Sequence, residues 1–403
     1  MADKDKDLRP LEGLQSRNPM SDLGIPRPLP DEQPKAVDKP VDERPETYGA
    51  LVWRRFKQSK IGLIGGLVIF VLYLVCFVFP EFFAPYPVEY SDRVYLSGPP
   101  QVPRFVDAEG NFQLRPFVYG FERVVDPRTF RRTFELDTDQ VYPLQFFVRG
   151  QPYRLWGLIP MDLHLFGAAE GGTVYILGTD GLGRDLYSRI LYGGRISLSV
   201  GLIGVVIVLI FGSILGTISG YYGGTVDNVM MRTTEVLMSF PTLPLWMTLA
   251  AAVPPTWSPV AIYFGITVIL SFLGWTGLSR EIRGKVLSLR EEDYVMAARC
   301  LGASNRRLIL RHLLPGCYSH IIVVATLMIP SMILAETALG FLGLGLRPPM
   351  TSWGVLLNET QNVRALAHTP WLIWPAIPVI VVILAFNFLG DGLRDAADPY
   401  SSR

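Results

Sequence analysis

The sequence predicts an all-α membrane protein with six transmembrane helices and a mixed, partly β segment between the first and the second helix. Hydrophobic residues make up 49% of the 403 residues, and two segments, residues 61–79 and 196–218, contain no charged residue. Each is about 20 residues long, which is enough to cross the hydrocarbon core of a bilayer. The formal net charge of +1 argues against a protein that grips nucleic acid electrostatically.

The N-terminal region divides into a tail and a short amphipathic helix. Residues 1–47 are polar, charged and rich in proline, which predicts a disordered tail without the apolar core of a signal sequence. Residues 48–60 read YGALVWRRFKQSK and combine apolar side chains with four cations. This composition predicts an interfacial helix on the cytoplasmic side of the membrane.

The first transmembrane helix is predicted at residues 61–83, and it leads into a long segment on the far side of the membrane, residues 84–194. This segment mixes aromatic, proline and charged residues with short alternating runs such as QFFVRGQPYRLWG. Alternation of apolar and polar residues is typical of half-buried strands. We therefore expect a small, partly β, extracytoplasmic insertion here.

Residues 195–403 are predicted to form the transmembrane core. Five further apolar stretches follow the first helix, at about 196–219, 229–253, 258–279, 319–346 and 372–390. The loop at residues 280–315 carries eight arginines and lysines, whereas the short far-side loops at residues 254–257 and 347–371 carry only Arg347 and Arg364. Positive loops stay inside, so this loop and both termini are predicted to be cytoplasmic.

Two features inside the predicted helices invite a structural or a functional interpretation. Gly212, Gly216 and Gly220 recur every four residues, a spacing that permits close helix contact within one bundle or between subunits. Glu336 lies within the fifth helix, and a carboxylate at membrane depth is costly. It is interpreted either as a pathway or gating residue or as a buried hydrogen-bonding group.

Signatures of enzymes are missing from the sequence. It contains no G-x-x-x-x-G-K-[ST] phosphate-binding loop, no HExxH pair for zinc and no G-x-S-x-G around a serine. The three cysteines suggest packing, not a disulfide framework. No catalytic residue, metal site or cofactor site is predicted in this chain, so energy for any transport would come from outside it.

The basic loop contains a segment with unusually small side chains, residues 293–315, DYVMAARCLGASNRRLILRHLLP. Asp293 suits the first turn of a helix, and Gly302 is expected to end it. Ala297, Ala298 and Gly302 leave one side nearly bare, with Arg299 at its rim. Such a surface permits close docking into a groove on another protein.

This segment resembles the cytoplasmic coupling loop of ABC importer permeases, through Ala297, Ala298, Gly302, Leu314 and Pro315. Three further stretches are similar to the dipeptide/oligopeptide/nickel class, and within it to the second permease subunit. They read GTDGLGRDLYSRILYGGRISLSVG, ETALGFLGLGLRPPMTSWG and GDGLRDAADP.

The resemblance implies a permease of the cytoplasmic (inner) membrane that works by alternating access. It implies as partners a homologous second permease, two ATPase subunits that bind ATP and Mg, and an extracytoplasmic substrate-binding protein. Peptides are the preferred substrate; nickel, opines and oligosaccharides are alternatives within the class. Outside the class, a secondary transporter or a lipid-binding membrane scaffold remain alternatives.

Overall fold

The structure is a computed structural model, and it describes residues 48–125, 127, 132–168, 172–347 and 350–397. The N-terminal tail, residues 1–47, and the disorder predicted for it lie outside these residues.

Helices account for most of the described residues, and one antiparallel sheet lies between the third and fourth helix. The helices are Tyr48–Phe56 (α1), Lys60–Leu72 (α2), Pro80–Phe83 (α3), Leu186–Tyr222 (α4), Gly224–Met238 (α5), Thr242–Ala251 (α6), Pro259–Leu289 (α7), Asp293–Cys300 (α8), Asn305–Leu308 (α9), Leu314–Gly316 (α10), Tyr318–Phe341 (α11), Trp353–Asn358 (α12), Val363–His368 (α13) and Ala376–Ala397 (α14). The strands are Arg104–Val106 (β1), Phe112–Val125 (β2), Arg132–Leu155 (β3) and Ile159–Ala168 (β4).

Short irregular helices extend several of these elements. Segments with π-helical hydrogen bonding continue α2 and α9, at Tyr73–Val78 and Ile309–Leu313. Turns of 3-10 helix follow α12 and precede α14, at Glu359–Gln361 and Pro370–Ile373.

Five helices in the described part of the chain are long and apolar enough to cross a membrane. They cover Lys60–Val78, Leu186–Tyr222, Pro259–Leu289, Tyr318–Phe341 and Pro370–Ala397. Five of the six predicted transmembrane helices therefore correspond to long apolar helices in the structure. The helix in α7 continues ten residues beyond its predicted end at residue 279, which carries it well into the basic loop.

The third predicted span, residues 229–253, is not one helix but two. α5 ends at Met238 and the shorter apolar helix α6 begins at Thr242, with Pro241 in an extended conformation between them (ψ 122°). Proline lacks an N–H group and disfavours helical geometry in the residue before it. The third predicted helix is therefore divided at Pro241, and the predicted count of six transmembrane helices is not confirmed.

The centre of the bundle is the contact between α4 and α7, and the three spaced glycines lie in it. A Cβ atom built on Gly212 would lie 2.8 Å from Leu278, and one on Gly220 would lie 2.9 Å from the carbonyl oxygen of Arg283. A Cβ atom on Gly216 would lie 2.5 Å from the carbonyl oxygen of Ser279. The stripe therefore packs inside this chain, against α7.

A second close helix contact joins the two ends of the described chain. A Cβ atom on Gly65 of α2 would lie 2.5 Å from the carbonyl oxygen of Ala385 in α14, and Gly62 faces Gly392. α11 packs against both α4 and α14, and it runs through Pro330 without ending. The buried faces of α4, α7, α11 and α14 share one continuous hydrophobic core.

The insertion contains a four-stranded antiparallel sheet in the order β1-β2-β3-β4. The long strand β3 pairs its first half with β2, from Val125↔Arg132 to Phe117↔Pro143, and its second half with β4, from Leu144↔Ala168 to Leu155↔Ile159. The predicted β character of this segment thus takes the form of two consecutive hairpins that share a strand.

Buried His164 connects β4 to the chain that follows the first span. One ring nitrogen lies 2.7 Å from the carbonyl oxygen of Ala84 and the other lies 2.9 Å from the carbonyl oxygen of Gln151. This contact places the second hairpin beside α3, at the end of the first membrane span.

Candidate functional site

The basic loop after α7 is held firmly on the end of the helical bundle. Val295 of α8, Leu308 of α9 and Leu313 are fully buried in the main hydrophobic core. Burying side chains of this size stabilises a segment by about 1.5–3 kcal/mol each. The loop is therefore anchored to the main hydrophobic core by these three side chains.

The other side of the same loop is bare. α8 ends with a hydrogen bond from the Leu301 N–H to the Ala297 carbonyl oxygen, 3.0 Å, and Gly302 then adopts a positive φ of 79°. A bulky residue at that φ would be strained, so glycine is the favoured way to end the helix. The exposed fraction of Leu301 is 89%, and a Cβ atom on Gly302 would meet nothing within 4 Å.

We call this surface the α8 tip, and it consists of Ala297, Ala298, Leu301 and Gly302. Ala297 is exposed and Ala298 is half-buried. Asp293 is exposed in the first turn of α8, where its charge favours the positive end of the helix. The tip thus offers one projecting leucine flanked by small residues and backbone.

Contacts to the end of α4 fix the orientation of the tip. The guanidinium group of Arg299 lies over the ring of Tyr221, 5.8 Å from its centroid, and the Tyr221 hydroxyl donates to Asn305, 2.8 Å. Leu314 and Pro315 are half-buried where the loop continues into α11. The tip is therefore in contact with the end of α4, and its loop leads directly into α11.

A charged cleft lies near the same end of the bundle, between α5 and α7. Arg283 of α7 donates to Asp227 of α5, with Nη2 at 2.5 Å, and the Ser219 hydroxyl donates to the same carboxylate, 2.6 Å. Glu235, also in the cleft lining, pairs with Arg232 at 2.9 Å on the exposed surface. These contacts tie α4, α5 and α7 together by charge.

Glu336 is buried inside α11 and takes part in a hydrogen-bond chain across three helices. The Trp353 N–H donates to the Ser197 hydroxyl, 3.2 Å, and that hydroxyl donates to Glu336 Oε2, 2.8 Å. Its Oε1 has no partner among the described residues. These hydrogen bonds join α11 to α4 and to the start of α12. They fit the second of the two interpretations of Glu336, a buried hydrogen-bonding group.

A second charged cluster lies at the other end of α4. Asp180 is buried and receives a hydrogen bond from Arg184 Nε, 2.7 Å, and another from Arg189. Glu359 lies 3.7 Å from Arg184 and 3.6 Å from Arg189. Asp185 accepts from the Ser188 N–H, 2.8 Å, and thereby caps the N-terminus of α4.

Sequence reasoning missed this charged cluster. Its only signal was the density of charge in TDGLGRDLYSR, directly before an apolar run. Charges at the start of a membrane helix need partners when they are buried, and Glu359 is 170 residues further along the chain. The described residues contain no group of three His, Cys, Asp or Glu side chains that could hold a metal ion.

Comparisons with known proteins match most of the helical region. Residues 209–402 match the family model of the binding-protein-dependent transport system inner membrane component, and residues 47–100 match that of the N-terminal TM domain of oligopeptide transport permease C. The two ranges leave residues 101–208 between them, and this stretch contains the whole sheet.

Relatives in several bacteria are similar over the same region. The chain is 42% identical over 223 residues to a dipeptide transport system permease protein of Alkalihalophilus pseudofirmus, which covers 55% of this chain and 71% of the relative. It is 42% identical over 240 residues to an oligopeptide transport system permease protein of Haemophilus influenzae, covering 59% and 75%. A glutathione transport system permease protein of Pectobacterium atrosepticum is 40% identical over 228 residues, covering 56% and 73%.

Proposed function

Since this chain belongs to the family of binding-protein-dependent transport system inner membrane components, we propose that it is the permease subunit through which an ABC importer moves peptides. It is a multi-pass inner-membrane protein and not an enzyme, and ATP hydrolysis belongs to partner ATPases. The dipeptide, oligopeptide and glutathione transport systems named for its relatives support short peptides as the substrate class.

The proposed topology has six crossings with both termini in the cytoplasm. The five long helices provide five of these crossings. The remaining crossing, the third along the chain, is formed by α5 and α6 together, as a helix broken at Pro241. Their 25 residues reach about 37 Å at 1.5 Å per residue, which is enough for the apolar core of a bilayer. Broken helices are tolerated at membrane depth where they line a protein-enclosed path, so we place α5 and α6 beside the substrate pathway.

In this topology residues 84–194 are extracytoplasmic, residues 195–403 form the core, and residues 280–315 form the coupling loop. The proposed complex contains a homologous second permease, two ATPase subunits that carry ATP and Mg, and a substrate-binding protein. The insertion adds a sheet on the side where the binding protein arrives.

The observation that carries the proposal is the α8 tip. It is a bare surface held on buried anchors, so a partner that grips Leu301 and Gly302 moves the ends of α4 and α11 with it. Docking in a groove on the ATPase accounts for the exposure of a leucine in a loop that is otherwise rich in arginine. A lipid surface would take up the arginines but has no need of the small residues.

The direct test replaces Leu301 with Asp. Because this side chain is 89% exposed, the change removes no packing within the chain, but it places a charge in the docking groove. Loss of a central apolar contact typically costs an interface about 2 kcal/mol or more, so recovery of the ATPase on affinity capture from mild detergent should fall by about tenfold or more. Peptide uptake should fall with it.

A matched control is Leu114→Asp in β2, where the leucine is 87% exposed. It should leave ATPase recovery and uptake unchanged. Wild-type uptake by the Leu301→Asp variant would overturn the assignment of the α8 tip. Uptake driven by an ion gradient, with no ATPase recovered from the wild type, would instead favour a secondary transporter.

A further inference from the structure

The turn between β3 and β4, residues Trp156 to Leu158, has an unusual conformation. Trp156 and Gly157 have positive φ values of 54° and 72°. The turn closes with hydrogen bonds from the Gly157 N–H to Arg154 and from the Leu158 N–H to Leu155, both 3.0 Å. Positive φ is common for glycine in tight hairpins but disfavoured for a bulky aromatic residue, so something holds Trp156 in place.

What holds Trp156 is the end of the first membrane span. Its indole N–H donates to the carbonyl oxygen of Val78, 3.1 Å, and its ring meets the edge of Phe77 with centroids 5.4 Å apart. Val78 ends the helical segment that the first span comprises. The turn is therefore fixed at the level where that span leaves the membrane.

The second membrane span, α4, places Trp156 at the same level of the membrane. The guanidinium group of Arg195 lies over the Trp156 ring, 5.2 Å from the centroid, and it also binds the Glu81 carboxylate at 2.6 and 2.7 Å. Arg195 directly precedes the charge-free run at residues 196–218. Two spans thus place the indole ring at the boundary between lipid and water, where tryptophan is enriched.

Beyond the indole ring, the turn projects apolar side chains that no described residue covers. Leu158 is 82% exposed and Ile159 is 56% exposed. On the same hairpin, Phe147 also has a positive φ of 55°, is exposed, and lies 6.4 Å from Phe82 just after the first span. Two strained aromatic residues of this hairpin therefore lie against the end of the same span.

We propose that the β3–β4 turn is a membrane-contacting tip. Leu158 and Ile159 insert among the acyl chains of the leaflet in which the first span ends, while Trp156 stays at headgroup level. The first span also exposes apolar side chains, among them Phe70 and Val71. Amphipathic elements of this kind enter the headgroup boundary by about 5–10 Å.

The size of the patch favours lipid over a second protein. Two or three side chains bury far less than the roughly 1,200 Å² of a stable protein interface, whereas a lipid leaflet covers any apolar group at its level. The insertion is thereby supported at two places: by His164 against the chain after the first span, and by its own tip in the bilayer. This fixes the height of the sheet above the membrane.

The test measures what surrounds residue 158 in the full-length protein. In a Cys300→Ser background, which removes the exposed cysteine, Leu158→Cys is labelled with bimane and the protein is reconstituted in nanodiscs of phosphatidylethanolamine and phosphatidylglycerol. We expect several-fold stronger quenching by lipids with a nitroxide near the headgroup end of the acyl chain than by aqueous iodide.

The matched control is Leu136→Cys, an exposed leucine in the half of β3 that pairs with β2. Its label should show the opposite preference, for iodide over nitroxide lipid. The proposal is overturned if the label at residue 158 is quenched by iodide as strongly as the control. It is also overturned if neither quencher reaches the label at residue 158.

Discussion

Single buried carboxylates show how the chain places charge next to membrane helices. Asp185 is fully buried at the N-terminus of α4, where its Oδ2 receives two hydrogen bonds from Ser188 while Oδ1 has no partner among the described residues. Burial raises the pKa of this carboxyl to about 6, against the smaller lowering effect of the bonds from Ser188. Burial likewise raises the pKa of Glu359 in the neighbouring charged cluster.

A pH dependence of stability follows from Asp185. Its pKa is raised on folding, so the folded state holds the proton more tightly than the unfolded state, whose pKa is about 4. The Asp185 carboxyl contributes to the free energy of unfolding below about pH 4. This contribution is lost as pH rises to about 6, and the loss is at most roughly 2–3 kcal/mol.

Asp185→Asn removes the titration and keeps an acceptor for the helix cap. We expect the variant to gain stability relative to wild type as pH rises from 4 to 6.5, as measured by thermal unfolding in detergent. A stability difference that does not change with pH would show that the Asp185 carboxyl is not the titrating group.

At the scale of elements, the contact of α4 with α7 depends on the absence of side chains. The backbones approach so closely at Gly216 that an added methyl group would lie 2.5 Å from the carbonyl oxygen of Ser279. Van der Waals contact is the main attraction between helices in lipid, and small residues are what allow it. Separation of these helices would also disturb the Arg283–Asp227 pair beside them.

Gly216→Ala should therefore destabilise the protein by about 1–3 kcal/mol, which is the usual cost of overpacking. The matched control is Gly277→Ala on α7, where a Cβ atom would meet nothing within 4 Å. That change should be neutral or stabilising by up to about 1 kcal/mol, because alanine favours the helix. Thermal unfolding of both variants measures this difference in stability. Equal stability of the two variants would contradict close packing at Gly216.

At the scale of the whole molecule, the chain has an asymmetric distribution of charge and of apolar surface. Residues 280–315 carry eight arginines and lysines, whereas the short loops at residues 254–257 and 347–371 carry two, and the sheet belongs to the segment between the first two long helices. If the positive-inside rule governs this chain, the α8 tip and the sheet lie on opposite sides of the membrane. The exposed cysteine of the chain is next to the α8 tip, whereas Cys76 and Cys317 are buried.

That distribution gives a topology test with the native cysteines. In cells that express the chain without an ATPase, a membrane-impermeant maleimide should label Cys300 in inverted membrane vesicles but not in intact spheroplasts. Cys300→Ser should abolish the labelling. Adding Leu136→Cys to that variant should restore it in spheroplasts alone, whereas labelling of Cys300 from outside would reverse the proposed orientation.

The sequence by itself determined the features that depend on neighbouring residues. Charge-free runs of about 20 residues were enough to locate the long helices, and Gly302 after a small-residue helix was enough to expect the end of α8. The family resemblance followed from motifs in the same contiguous stretches. The division of the third span at Pro241 was also readable locally, because proline breaks a helix.

Only the tertiary structure decided which distant groups meet. Trp156 and Val78 are 78 residues apart, Glu336 and Ser197 are 139 apart, and Glu359 and Arg189 are 170 apart. Hydropathy and periodicity record how each segment prefers to fold, but they carry no information on partners outside the segment. Those pairings depend on the packing of all the long helices at once, because burial is what makes each polar partner necessary.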